Sequence, residues 1–143
     1  MKTQLSFGLI VMLFVLSIPI IAGGEGELQK YFNKTATEVK ATEDASVKRE
    51  ILNQSFTKML KVLNKVQNSG MISEEESMGV GNFKITIQEK QDELNGKNGF
   101  ERVTDSQLNN FADYAVQDIE QATNITISLV ALVLIAILLV LIL

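Results

Sequence analysis

Residues 125–143 carry no charge: 15 of the 19 are Leu, Ile or Val, two are Ala, and only Thr126 and Ser128 are polar. As one helix they would reach about 28 Å, close to the hydrocarbon thickness of a bilayer. Each branched residue would favour insertion by about 0.3–0.6 kcal/mol. The run is therefore expected to form a transmembrane helix. It has no Gly and no small residues four apart, so it reads as an anchor rather than a proton path or a close-packed helix pair.

The other end is apolar for a different reason. Lys2 precedes an uncharged stretch over 5–21 that holds Pro19, followed by Ala22, Gly23, Gly24 and the acids Glu25 and Glu27. A positive start, an apolar centre and small residues make up the order of a secretory signal, with cleavage expected after Gly24. Three regions result: a signal over 1–24, an exported domain over 25–124 and an anchor over 125–143. The nearest basic residue before the anchor is Arg102, whereas Asp113, Asp118 and Glu120 lie close to it. That flank places 25–124 on the extracytoplasmic side, periplasmic or extracellular, with Leu143 at the cytoplasmic face. The alternative, a removable glycolipid-anchor signal, meets Tyr114 where a triplet of small residues is needed.

Residues 25–124 contain 34 apolar residues, 12 basic, 17 acidic and no Pro, a composition that favours helix over sheet. Leu52, Phe56, Met59, Leu63 and Val66 recur by 4, 3, 4 and 3 and share one helical face. Asn68, Ser69 and Gly70 then stop the helix. Leu28, Tyr31, Phe32, Ala36 and Val39 suggest a shorter helix before the polar Thr42, Glu43 and Asp44. Ser73 and Glu76 have capping-box spacing ahead of Val80, Phe83, Ile87 and Leu94. Phe83, Ile85 and Ile87 also alternate, and Gly79 and Gly81 weaken a helix, so a strand over 78–88 competes there. Asn95, Gly96, Lys97, Asn98 and Gly99 form a loop. A last helix starts near Thr104, capped by Thr104 with Gln107 reaching back and Val103 stapled to Leu108; nothing stops it before Ile125, so it would join the anchor as one rod. The expected fold is all-α: a small antiparallel bundle of three to four helices outside the membrane plus one transmembrane helix. The seam over 52–66 is too short for a coiled coil.

The chain has no His, no Cys and no Trp. Imidazole bases, thiol nucleophiles, disulfides and Cys or His metal sites are excluded. Glu74, Glu75 and Glu76 suit the positive end of a helix better than a cation site. The loop after Asp92 fails the calcium-loop pattern, because neither Gly96 nor Gly99 in the turn position puts acids at the right places. The Gly79 and Gly81 pair lacks the remaining residues of a phosphate loop. No catalytic, cofactor or metal residue is assigned. Asn33, Asn53 and Asn124 head glycosylation triplets, which matter only in a eukaryotic source.

Charge is the suggestive feature. Residues 45–70 hold five bases and one acid, while 71–100 and 101–124 are net −3 and −4. Lys58, Lys61 and Lys65 line one side of the apolar stripe. They either pair with acidic neighbouring helices or offer a face to a protein partner or an anionic surface; nucleic acid does not suit an exported acidic domain. The sequence thus points to a non-enzymatic, membrane-anchored interaction or scaffold protein, such as a small subunit of an envelope complex. The competing class is an enzyme working with carboxylates alone, which would need a cleft.

Overall fold

The computed structural model describes residues 24–142, and every regular element among them is helical. The expected signal over 1–24, apart from Gly24, lies outside the described residues. So does Leu143. The elements are α1 (Gly24–Ala41), α2 (Ala45–Asn68), α3 (Glu74–Asn95), a 3₁₀ turn (Asp105–Gln107), α4 (Leu108–Thr126) and α5 (Leu129–Ile142).

Local chemistry accounts for most boundaries. Asp44 caps α2 by accepting from the Ser46 amide at 2.8 Å and the Val47 amide at 3.4 Å. α2 ends at Asn68, and Gly70 follows with φ of 71°. The capping box of α3 is present in both directions: the Glu76 amide donates to Ser73 Oγ, and the Ser73 amide donates to Glu76 Oε1, each at 3.1 Å. α3 closes on Gly96 at φ of 69°, where a Cβ would lie 2.8 Å from the backbone nitrogen of Arg102.

The strand alternative over 78–88 is not adopted, and burial gives the reason. Val80, Phe83 and Ile87 are buried at helical spacing, whereas Ile85, which alternation would bury with Phe83 and Ile87, is 58% exposed. Gly81 faces α2: a Cβ there would lie 3.2 Å from Gln67 Nε2, the tip of a flexible side chain.

Helices α1 to α4 form an antiparallel ring in which each touches the next and α4 returns to α1; α2 and α4 lie diagonally and meet little. Side-chain bonds fix the directions. Lys40 meets Asp113 at one end of α1 and α4, and Gln29 donates to Glu120 at the other. Asn95 Nδ2 donates to Asn53 Oδ1, and Gln67 Nε2 donates to the Ser77 carbonyl, at opposite ends of α2 and α3. The core between them contains Phe32, Phe56, Met59, Phe83, Ile87, Leu108, Phe111 and Ile119. Phe56 and Phe111 pack edge to face at 6.4 Å.

Two expectations about the last segments are corrected. Helical structure begins just after Thr104, as expected, but Thr104 makes no side-chain cap bond, and the first turn, Asp105–Gln107, is 3₁₀ before the α-helix proper begins at Leu108. The single rod is broken: Ile127 is extended (φ −113°, ψ 129°), and Ser128 Oγ accepts from the Ala131 amide at 3.2 Å to begin α5 anew. α5 then has 14 residues, about 21 Å of helix against roughly 30 Å of hydrocarbon. Among the described residues no helix is long and apolar enough to cross a membrane. α5 packs on α1 and α2, with Ala131, Leu132, Ile135 and Leu139 joined to the core.

Candidate functional site

Lys58, Lys61 and Lys65 are all exposed on α2. By spacing, Lys58 and Lys65 continue a line through Ile51, Ser55 and Val62, which are buried. Ser55 shows where that line faces. Its carbonyl accepts from the Tyr31 hydroxyl at 2.7 Å, and its own hydroxyl meets that of Thr35 at 2.8 Å, both on α1. Lys58 therefore rises beside α1. Lys58 lies near Lys34 and Glu38 there. Burial pushes the Lys34 ammonium down, Glu38 opposes that, and Lys58 adds to it. Burial likewise pushes the Glu38 carboxyl up, against the pull of Lys34 and Lys58. One acid is flanked by two bases.

Interhelical pairing runs elsewhere. Asp113 of α4 pairs with Lys40 of α1 at 2.9 Å, and Asp118 of α4 with Lys90 of α3 at 2.6 Å. On α2, Lys48 reaches Asn109 of α4 at 2.8 Å, while among the described residues no ion pair involves Lys58, Lys61 or Lys65.

Two buried cations were not expected from the sequence. Lys90 contacts Asp118, the Tyr114 hydroxyl at 2.9 Å and Glu93 at 3.4 Å, and its ammonium lies 4.1 Å from the Tyr114 ring centre. Burial alone would lower its pKa. The bonds to Asp118 and Tyr114, with the charges of Glu93 and Asp118, reverse that and hold the ammonium protonated well above the usual lysine range. In turn the hydrogen bond from Lys90 holds Asp118 below the usual carboxylate range. The signal was present: Val80, Phe83, Ile87, Lys90 and Leu94 recur by 3, 4, 3 and 4, so Lys90 occupies a core position.

Arg49 is the second. Its guanidinium donates to the Leu94 carbonyl at 2.8 Å, the Val103 carbonyl at 2.7 Å and Asp105 at 2.9 Å, so one side chain ties the end of α3 to the chain leading into α4. Its Nε is buried with no hydrogen-bond partner. Beside it an open groove of about 440 Å³ is lined by Ser46, Glu50, Asn53, Gln54, Arg102 and Asp105. Arg49 and Arg102 face two carboxylates there, so the groove has no charge preference. A small, partly open hollow between α1 and α4, bordered by Phe32 and Ile119, holds about 10 Å³, the space of one water.

Of the acids at the start of α3, Glu76 has structural partners. Glu76 serves the α3 cap and also accepts from Ser128 Oγ at 2.6 Å; these bonds hold its carboxyl below the usual range. Asp92, buried, accepts from Gln88 and Asn98. Among the described residues no cluster of three or more Asp or Glu could hold a metal ion. Of the glycosylation triplets, Asn33 is exposed, Asn53 is half-buried against Asn95, and the Asn124 side chain is outside the description.

The largest apolar exposure belongs to α5. All 14 of its residues are apolar, yet Val130, Val133, Ile137, Val140 and Leu141 face outward, the last 74% exposed. Comparison with known proteins finds no matching family model, no similar curated protein and no similar solved structure.

Proposed function

We propose that this chain is a non-enzymatic, membrane-associated interaction protein, its bundle over 25–124 on the extracytoplasmic side and its attachment made through residues 125–143. The observation that carries this reading is α5, a helix apolar on every face whose outer side remains exposed when its inner side is packed. Exposed apolar surface of that continuity marks a contact with lipid or another protein. The test is expression of the full chain, followed by separation of membranes under alkaline wash and protease treatment of intact cells. Membrane retention, lost on deleting 129–143, is the expected result. Recovery free of membranes, or protection of Lys30 to Lys97 from external protease, overturns it.

A second reading concerns Lys58, Lys61 and Lys65 as a docking face for an acidic protein or anionic surface. Its support is that all three are exposed while the acids of α4 pair with α1 and α3. Reversing the three to Glu is expected to abolish such binding and to leave helicity unchanged. Binding that survives both charge reversal and high salt sinks it.

A further inference from the structure

We infer that α5 has two competing seats, the α1–α2 face of the bundle and the interior of a lipid bilayer, and that contact with a bilayer draws it from the first to the second. This deepens the membrane reading and rests on it. Three features of the molecule argue for two seats.

First, the bundle does not need α5 to close. Helices α1 to α4 form a complete ring, and the large residues at its centre, Phe56, Met59, Phe83 and Ile87, come from those helices alone. Second, α5 is set off from α4 by a break in the helix, and its hold on the bundle is its packing on α1 and α2. An extended residue, Ile127, separates it from α4, and the Ser128 to Glu76 hydrogen bond joins its first turn to the start of α3. Third, the seat on the bundle satisfies half of the helix. Ala131, Leu132, Ile135, Ala136 and Leu139 are buried, while Val130, Val133, Ile137, Val140 and Leu141 stay in water. A helix that is apolar all round belongs in a wholly apolar surrounding.

A bilayer removes that half-exposure. If the backbone over Ile127 and Ser128 becomes helical, residues 125–143 form one uncharged helix of about 28 Å, long enough to span. Thr126 and Ser128, near one end, are the only polar side chains of that helix, Ser128 giving up its bond to Glu76, and the helical backbone is satisfied internally. Lipid buries both faces where the bundle buries one, so α5 redistributes by the difference in affinity between the seats. Ala131 separates the seats chemically. It is fully buried against the bundle, where a larger side chain would overpack, and in lipid the same enlargement is harmless.

The chain has no Cys, so single thiols report cleanly. The full chain is made by cell-free synthesis as Ile137→Cys or Met71→Cys, at positions 51% and 70% exposed, and labelled with a polarity-sensitive dye. It is then mixed with phosphatidylcholine–phosphatidylglycerol vesicles containing nitroxide either deep in the acyl chains or at the headgroups. The expected result is a water-like Ile137 signal without vesicles and, with them, a shift to apolar emission quenched by the deep nitroxide. The Met71 signal should not move, and circular dichroism should stay helical. In the Ala131→Leu background the deeply quenched fraction at limiting lipid should rise roughly ten-fold. Vesicle flotation with Ile137 still in water, or quenched by the headgroup nitroxide alone, overturns the two-seat inference and leaves membrane association standing. No response to Ala131→Leu overturns the competition between seats. Failure to float overturns both.

Discussion

α4 and α5 are separated by two residues and encode their places in opposite ways. α4 buries Leu108, Phe111, Ala112, Ala115 and Ile119 and turns Asn110, Asp113, Gln117 and Gln121 outward. Only one rotation about its axis satisfies that pattern. α5 has no such pattern: any rotation buries Leu, Ile, Val or Ala and exposes the same kinds of residue. Apolar content drives a helix out of water, and the arrangement of that content decides where the helix goes. Four helices are addressed in this way, and the fifth is only expelled.

The sharpest way to test this contrast is to truncate one large side chain in each part. Phe83→Ala, at a position with no exposure, should cost about 3–5 kcal/mol in denaturant unfolding. Ile137→Ala, on the outer face of α5, should stay within about 0.5 kcal/mol. Comparable losses would show that α5 is as firmly specified as the ring.

An intermediate effect should appear at alkaline pH. Burial raises the Tyr31 phenol to about 12, offset in part by its bond to Ser55 and aided by Glu38. A group whose pKa is raised on folding contributes fully below its unfolded value and loses that contribution as pH rises through the folded one. The bundle should therefore lose about 2–3 kcal/mol between pH 10 and 12. Lys90, also raised, acts in the same direction above the ordinary lysine range. Tyr31→Phe should flatten the fall, as read from urea midpoints across that range. A slope unchanged in the variant would locate the loss elsewhere.

The smallest effect compares two caps that look alike in sequence. Ser73→Ala removes a formed capping box and should cost about 1 kcal/mol. Thr104→Ala removes a hydroxyl that caps nothing and should cost under about 0.5 kcal/mol in the same unfolding assay.

That pair shows what was legible. The stripe over 52–66, the stop at Asn68 to Gly70, the Ser73 box and the loop at Gly96 are local events, governed by residues within one turn of each other, and sequence reading finds them. Thr104 failed because the chain there is held by Arg49, 54 and 56 residues away from Val103 and Asp105. The break at Ile127 failed similarly: no Pro or Gly marks it, and the Ser128 hydroxyl finds Glu76 across the fold. The basic patch was legible as composition, but the setting of Lys58 beside Lys34 and Glu38 depends on how α1 lies against α2.

Arg49 also carries a consequence for the order of events in folding. Its partners stand 45, 54 and 56 residues downstream, so none of its three bonds can form until α2 and α3 have paired and the chain has turned back. Closure entropy for loops of that span comes before any gain from the bonds. The α1–α4 contacts span still longer loops, 73 residues for Lys40 to Asp113, so the clasp tests whether the Gly96 to Gln107 segment docks before or after the transition state. If it docks after, weakening the clasp should speed unfolding and leave the folding rate nearly unchanged. An unchanged folding rate would then make one guanidinium a brake on unfolding rather than a guide to folding.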